Sequence, residues 1–169
     1  ISLLDYKELS QDEVEKLQEY FVGNLFPLLT PLAVDPAHPF PFISGLSLSL
    51  AVVVRDPDTD KTRFVRVKVP RVLGRWVALP TPNRFVPLEQ VIANNLSWLF
   101  RGMEVVESHP FRVIRNADTR GNAEVAEDLL SVIQGELRER RLAAVVRLEV
   151  SDSMPERYRT FLLRHLDLT

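Results

Sequence analysis

The sequence contains no cysteine, which excludes disulfide bonds and thiolate chemistry. Aromatic residues make up only 8% of it, and no basic strand carries several of them, which counts against stacking on nucleic-acid bases. Charge of one sign is also lacking, because 21 lysines and arginines face 23 acidic residues. No apolar run reaches the length of a membrane span, and no signal peptide is visible. These absences favour a cytoplasmic protein.

What is present is an ordinary globular composition, 46% hydrophobic and 26% charged, over 169 residues. That length predicts about one domain, which buries roughly two thirds of the surface of its unfolded chain. The sequence begins at Ile1 without a methionine and stops just after a helical pattern. We therefore expect a piece of a larger protein, in which a missing active site lies elsewhere.

The segment from Asn24 to Leu50 is rich in proline and in large apolar residues. Its five prolines are Pro27, Pro31, Pro36, Pro39 and Pro41. Each fixes its own φ and removes a backbone donor, so neither a helix nor a central strand can cross the segment. We expect an ordered, extended connection. It leads into a strand in which Leu46, Leu48, Leu50, Val52 and Val54 alternate with smaller residues, a pattern that predicts one buried face.

The remaining patterns predict an alternation of helices and strands. Ser10 and Glu13 form a capping box before a helix that ends near Pro27, and the exposed face of that helix is acidic. The later predicted elements are a hairpin around residues 56–60, a strand at 75–79, a helix at 87–102, strand pieces at 103–106 and 111–114, a helix after Asn122, a strand at 146–150 and a last helix capped at Ser153. The order predicts an α+β fold: a mainly antiparallel sheet opened by a β-hairpin, with helices packed on it and an N-terminal helix.

Positive charge is concentrated in the second strand of the hairpin and in the segment after it. Between Lys61 and Arg75 there are six cations and no acid. Arg66 and Lys68 share a strand face about 7 Å apart, and Arg71 follows them. They are candidate ligands of a phosphate chain, since arginine favours bidentate phosphate contacts. The alternative is a solvated strand face that protects the sheet edge from aggregation.

A second group of candidate phosphate ligands contains Arg112 and Arg115. Alternation does not place these two side chains on one strand face, so one of them has a different partner or is displaced by a β-bulge. The sequence contains no HExxH, no GxxxxGK[ST] and no GxSxG, and it predicts no catalytic residue and no metal site.

Several motifs resemble one family. They are FPLLTPLAVDPAHPFPFISGLSLSLAVVVRDPD (26–58), RFVRVKVP (63–70), NRFVPLEQVI (83–92), HPFRVIRNAD (109–118) and LRERRLAAVVRLEV (137–150). In this order they resemble the head domain of bacterial polyphosphate kinase. The resemblance implies that residues 1–26 end an N-terminal helical region, that residues 27–169 form the head (middle) domain, and that the catalytic domains are absent.

For the parent enzyme the resemblance implies reversible transfer of the terminal phosphate of ATP onto polyphosphate, with Mg²⁺ and through a phosphohistidine. The family's reactive histidine belongs to its C-terminal domains, in a context that His38, His109 and His165 do not match. A structural role that holds an irregular loop is expected for His38 and His109, and His165 is expected to be an ordinary helix residue. The resemblance also implies a homo-oligomer that is cytoplasmic, either free or peripheral to the membrane. We expect the chain alone to be inactive.

Three roles for the chain are compatible with these patterns. It frames the active site or the polymer path and joins subunits, it serves only as a scaffold between subunits, or it is a stand-alone module that binds polyphosphate or nucleic acid without catalysis. The low aromatic content argues against nucleic acid.

Overall fold

The structure, a computed structural model, describes residues 1–35, 37–116 and 143–168. The chain divides into two compact units, one formed by Ile1–Pro41 and Leu48–Pro110 and the other by Phe42–Ser47 and Phe111–Thr169. The strands are β1 (Ser2–Leu3), β2 (Leu32–Val34), β3 (Leu48–Arg55), β4 (Thr62–Lys68), β5 (Trp76–Ala78), β6 (Arg84–Pro87), β7 (Glu104–Arg115) and β8 (Val145–Val150). The α-helices are α1 (Gln11–Tyr20), α2 (Leu88–Ala93) and α3 (Glu156–His165). These elements confirm the α+β prediction. The helix predicted after Asn122 lies outside the described residues.

Helix α1 begins with the predicted capping box. The Ser10 hydroxyl accepts a hydrogen bond from the Glu13 N–H (3.3 Å), and the Glu13 carboxylate accepts one from the Ser10 N–H (3.0 Å). The chain continues as a π-helical turn, Phe21–Leu25, and a 3₁₀ turn, Phe26–Leu28, so the helical path ends where Pro27 predicts.

The expected solvated acidic face of α1 is wrong for Glu13. This side chain is only 4% exposed, and its carboxylate also accepts a hydrogen bond from Arg84 Nη2 (3.3 Å). Burial is tolerated because the Ser10 N–H and Arg84 compensate the charge. The hydrogen bond from the Ser10 N–H is the main cause that lowers the pKa of Glu13 below its ordinary value of 4.5, and it outweighs the desolvation that raises it.

Glu13→Gln is expected to destabilise the first unit at neutral pH and to flatten its pH dependence in acid. A lowered folded-state pKa means that the ionised carboxylate stabilises the fold. That stabilisation is complete above pH 4.5 and is lost as pH falls through the lowered pKa. Urea unfolding between pH 7 and pH 3 measures it. Glu15→Gln, at an exposed position, is the control. If the free energy of unfolding fell equally with pH below 4.5 in wild type and in Glu13→Gln, the stabilising role of the Glu13 carboxylate would be contradicted.

Strands β3 and β4 form the predicted antiparallel hairpin, with Leu50 opposite Val67 and Val52 opposite Val65. Strand β4 lies between β3 and the short strand β2. The prediction of one buried face on β3 is wrong, because Ser49 and Ala51 on its other face are each at most 1% exposed. The predicted first residue, Leu46, is exposed and has a φ of 61°, so it cannot belong to an extended strand.

A three-stranded sheet in the same unit has the order β1-β6-β5. The predicted strand at 75–79 is β5, whereas β6 was missed because Pro87 was interpreted as the first residue of a helix. Pro87 ends β6, pairs with Trp76 and is the N-cap of α2. The predicted helix stops at Ala93 and is followed by a 3₁₀ turn, Leu96–Trp98. The core of this unit includes Leu17, Phe21, Leu25, Leu50, Val52, Val67, Val86, Leu88, Val91 and Ile92.

In the second unit, the end of β7 pairs with β8 in antiparallel register, with Phe111 opposite Val150. The two strand pieces predicted at 103–106 and 111–114 are one strand, β7. The predicted cap of the last helix at Ser153 is wrong: α3 has Pro155 as its N-cap, and no side chain caps it. The Ser153 hydroxyl instead lies 3.2 Å from that of Ser151. Buried residues of this unit include Ile43, Phe111, Val113, Met154, Leu162 and Leu166.

Candidate anion-binding groove

A groove of about 460 Å³ opens in the first unit beside the end of β4. Its lining residues are Leu28, Thr30, Leu32, Arg66, Lys68, Pro70, Arg71 and Val72. Strand β2 pairs with β4 only as far as Leu32, opposite Arg66. Pro31 lies directly before Leu32, outside the paired residues of β2. The two segments separate there, and three of the five predicted phosphate ligands line the space between them.

Arg66 is the buried member of this groove. It is only 6% exposed, and its Nε donates a hydrogen bond to the hydroxyl of Ser49 on β3 (3.1 Å). The residue opposite Arg66 in the hairpin is Ala51, whose small side chain leaves room for this diagonal contact. The alternative of a solvated strand face is therefore wrong for Arg66.

The charge of Arg66 has no carboxylate within ion-pair distance among residues 1–35, 37–116 and 143–168. Ser49 is fully buried and neutral, so it orients the guanidinium without compensating its charge. Desolvation accordingly lowers the pKa of Arg66 from its ordinary value. An anion that entered the groove would supply the missing partner.

Lys68 and Arg71 are the exposed cations of the groove. Lys68 lies on the same face of β4 as Arg66, about 7 Å along the strand. Arg71 follows Pro70, just beyond the end of β4. The opposite wall is apolar, with exposed Leu28 and Leu32, and exposed Val72 follows Arg71. The groove thus presents positive charge along one side and a wall of low polarity along the other, which strengthens electrostatic contacts within it.

Arg112 lies in the second unit, where it already has an anionic neighbour. It is directly opposite Glu149 on β8, and its Nε lies 3.7 Å from the Glu149 carboxylate. The same carboxylate is 3.0 Å from Nη2 of Arg147. The role of Arg112 as a phosphate ligand stays a prediction. Its charge is already partly compensated by Glu149.

Arg115 in the same unit bridges two segments of backbone. The strand register shifts between Ile114 and Arg115, which is one of the two alternatives expected from the sequence. The Arg115 Nε donates to the carbonyl of Ile43 (2.9 Å) and Nη1 to that of Ala143 (2.6 Å). Its guanidinium carbon is 4.4 Å from the centre of the Phe42 ring, and desolvation lowers its pKa. These contacts are those of a structural clamp.

Each of the three histidines forms a local contact. His38 Nδ1 lies 3.0 Å from the Asp35 carboxylate, which also accepts the N–H groups of Ala37 and His38. The side-chain hydrogen bond with His38 is the main cause that lowers the pKa of Asp35. His109 Nε2 is 2.8 Å from the Glu107 carboxylate, and His165 Nδ1 is 2.9 Å from the carbonyl of Phe161. The structural roles expected for these histidines stay predictions.

The sequence pattern does not predict a role for Ser49, since it identifies this residue only as a small polar member of the alternating strand. The hairpin register places Ser49 opposite Lys68 and therefore diagonal to Arg66. Working out that register from the turn at residues 56–60 would have brought a serine and an arginine together on one face. The apolar wall was also missed, since Leu28 and Leu32 belong to the proline-rich segment.

In the part of the chain that the structure describes, no three histidine or acidic side chains are placed to hold a metal ion together. No helix among the described residues has the length and apolarity needed to cross a membrane.

Comparison with known proteins confirms the resemblance given by the motifs. The family model of the polyphosphate kinase middle domain matches residues 12–169. Relatives include polyphosphate kinases of Synechocystis sp. (53% identical, covering 99% of this chain and 25% of the relative) and Aphanizomenon baltica (50%, covering 100% and 47%). The fold is similar to the crystal structure of polyphosphate kinase from Porphyromonas gingivalis, with a TM-score of 0.75 and 24% identity over 100% of this chain and 24% of that one. The chain thus spans about a quarter to a half of these proteins.

Proposed function

We propose that this chain, which belongs to the polyphosphate kinase family, helps to frame the polymer path of an enzyme that transfers the terminal phosphate of ATP reversibly onto polyphosphate. The observation that supports this role is the groove, in which Arg66, Lys68 and Arg71 lie along one side. In the proposal, successive phosphates of the polymer contact this row of cations. Charge-assisted hydrogen bonds that recur along a surface favour the binding of a polyanion.

The chemistry of the parent is assigned to parts of it that this chain does not contain. We place the phosphohistidine intermediate and most of the ATP site there, and we propose that the chain alone is inactive. Mg²⁺ neutralises phosphate charge in such transfers, but the described residues offer no cluster to hold it. No step of the reaction is therefore assigned to Mg²⁺ on this chain, and a cytoplasmic location is part of the same proposal.

A contribution to subunit association is proposed beside the polymer contact. The exposed apolar side chains Leu28, Leu32 and Val72 favour it, since clustered apolar surface often marks an interface. A chain that serves only as a scaffold is expected to self-associate without affinity for polyanions, and this difference separates the two roles.

Titration of the 169-residue chain with long-chain polyphosphate at two salt concentrations tests the polymer contact. The test variant is Lys68→Glu/Arg71→Glu, which changes two exposed residues of the groove and leaves buried Arg66 in place. The control is Lys61→Glu/Arg63→Glu, which alters net charge equally at exposed positions outside the groove. We expect salt-sensitive binding that falls at least about tenfold in the groove variant, because each tenfold loss corresponds to only about 1.4 kcal/mol.

The control variant is expected to lose no more than about threefold, as a change in net charge without loss of direct contacts acts mainly through screened long-range attraction. Equal losses in both variants would mean that the polymer responds only to overall charge. Absence of binding by the wild-type chain, together with concentration-dependent self-association in analytical ultracentrifugation, would favour the scaffold role instead.

A further inference from the structure

We propose that Arg66, oriented by Ser49, and the main-chain N–H of Lys68 form a fixed oxyanion subsite that holds one phosphoryl group inside the groove. Its natural ligand, a phosphoryl group of the polymer, rests on the proposed function; the subsite itself rests on geometry. Ser49 is a positioning residue in this arrangement, because it acts through Arg66.

Arg66 has donors that its hydrogen bond to Ser49 leaves unused. A buried charge is unfavourable unless it is paired, and proteins usually pair a buried arginine with a carboxylate. Here the hydrogen bond found for Arg66 in the described part of the chain uses only Nε. The two Nη groups, on a side chain that is more than nine-tenths buried, belong to a residue that lines the groove. They therefore offer a planar pair of donors that matches the oxygens of a phosphoryl group.

Ser49, the partner of Arg66, is neutral and fully buried. A carboxylate at this position would orient the guanidinium but would also neutralise it, and an incoming anion would then be repelled. A hydroxyl orients the guanidinium through Nε and leaves the positive charge for the ligand. The pairing of a buried arginine with a serine is therefore suited to binding an anion, whereas it is a poor way to stabilise a core.

The backbone of β4 supplies a further donor. The N–H of Val69 donates to the carbonyl of Leu48 on β3 (3.0 Å). Because N–H groups alternate in direction along a strand, the N–H of Lys68 points to the other side, where β2 ends at Leu32. The pairing of β2 with β4 ends at Leu32 opposite Arg66, so within the described residues it gives this N–H no partner. It lies on the side of the groove, and main-chain N–H groups are common ligands of phosphate.

Calorimetric titration of the 169-residue chain with pyrophosphate tests the subsite, since this small anion cannot bridge distant surface charges. We expect one site per chain and about tenfold weaker binding in Ser49→Ala, which keeps every charge. Ser49→Thr, which keeps the hydroxyl, is expected to stay within about threefold of wild type. The matched control is Ser47→Ala, a second buried serine whose hydroxyl donates to the Ser44 carbonyl. It is expected to bind as wild type does.

A spectroscopic readout separates positioning from general damage. The Nε–H resonance of Arg66, assigned by its loss in Arg66→Lys, should shift when pyrophosphate is added to wild type and should shift less in Ser49→Ala. If Ser49→Ala does not fold, this measurement still tests the subsite, because the shift in the wild-type spectrum by itself reports contact between Arg66 and pyrophosphate. Absence of the shift, or pyrophosphate binding that is equal in wild type, Ser49→Ala and Arg66→Lys, overturns the subsite.

The outcomes also separate the two proposals. Long-chain polyphosphate binding that depends on Lys68 and Arg71, without pyrophosphate binding at Arg66, refutes the subsite and leaves the polymer path standing. Pyrophosphate binding with the expected response to Ser49→Ala, but without affinity for the long polymer, supports the subsite and refutes the polymer path.

Discussion

Replacing Ser49 by alanine and Arg66 by methionine together is expected to stabilise the chain by about 1–3 kcal/mol and to abolish anion binding in the groove. Buried charged groups replaced by apolar residues of similar volume often leave a protein more stable, because the desolvation cost disappears. Arg66 is suited to this test because it is buried, and no carboxylate among the described residues compensates its charge. Methionine retains most of the packing of the arginine stem.

The single variant Arg66→Met tests whether the buried charge of Arg66 is what lowers the stability of the wild type. Arg66→Met alone leaves the fully buried hydroxyl of Ser49 without its partner, a cost of about 1–3 kcal/mol that offsets the gain. We therefore expect the single variant to be close to wild type and the double variant to exceed both. The measurement is urea unfolding followed by circular dichroism, with Lys68→Met as an exposed control that changes stability by no more than about 0.5 kcal/mol. A double variant that is less stable than wild type would make Arg66 a structural residue.

Stability lost at a site in return for function is the usual pattern in proteins. In this groove the proposal gives Ser49 such a role, because its hydroxyl orients Arg66 without neutralising the charge that an anion would meet. The same reasoning explains why the cationic segment after Lys61 was found from sequence while its central feature was not. Charge density can be read along a chain, but burial of one cation depends on the residues that cover it, here Ser49 and Ala51 on a neighbouring strand.

The elements that were predicted correctly are those whose cause is local. The capping box of Ser10 and Glu13 and the hairpin turn at residues 56–60 require only neighbouring residues, and both are present. The misses have tertiary causes. Strand β6 exists because residues 84–87 pair with β5 and β1, and both faces of β3 are buried although its sequence alternates. Pairing partners and layers on the far side of a sheet leave little trace in a strand's own pattern.

The division between local and tertiary causes also applies to the predicted site residues. The alternation of β4 correctly placed Arg66 and Lys68 on one face. Arg115 could not be understood from its strand alone, since its contacts are with carbonyls of Ile43 and Ala143, which are 72 and 28 residues away along the chain. The charge of these residues identified them as candidates in the sequence. Their contacts with other segments of the chain determine their roles.

Arg115→Met is expected to destabilise the second unit by about 3 kcal/mol. The change removes two hydrogen bonds from a charged donor, to the carbonyls of Ile43 and Ala143, each worth about 1.5–3 kcal/mol before the carbonyls find water. It also removes the contact of the guanidinium with the ring of Phe42, which contributes about 0.5–1 kcal/mol at an exposed ring. Arg115→Lys should lie between methionine and wild type, because an ammonium group cannot reproduce the planar fork.

Arg147→Met is the matched control in the same unit. Its side chain is 67% exposed and pairs with Glu149 at the surface, so a cost below about 1 kcal/mol is expected. Fluorescence of the two tryptophans reports the first unit, so unfolding of the second is best followed by amide hydrogen exchange at Arg112 and Glu149, which are paired on β7 and β8 and whose N–H groups point across the ladder. If Arg115 is a clamp, Arg115→Met accelerates this exchange and leaves the polyphosphate affinity of the folded chain unchanged. Lost affinity with unchanged exchange would instead make Arg115 the phosphate ligand that its charge suggested.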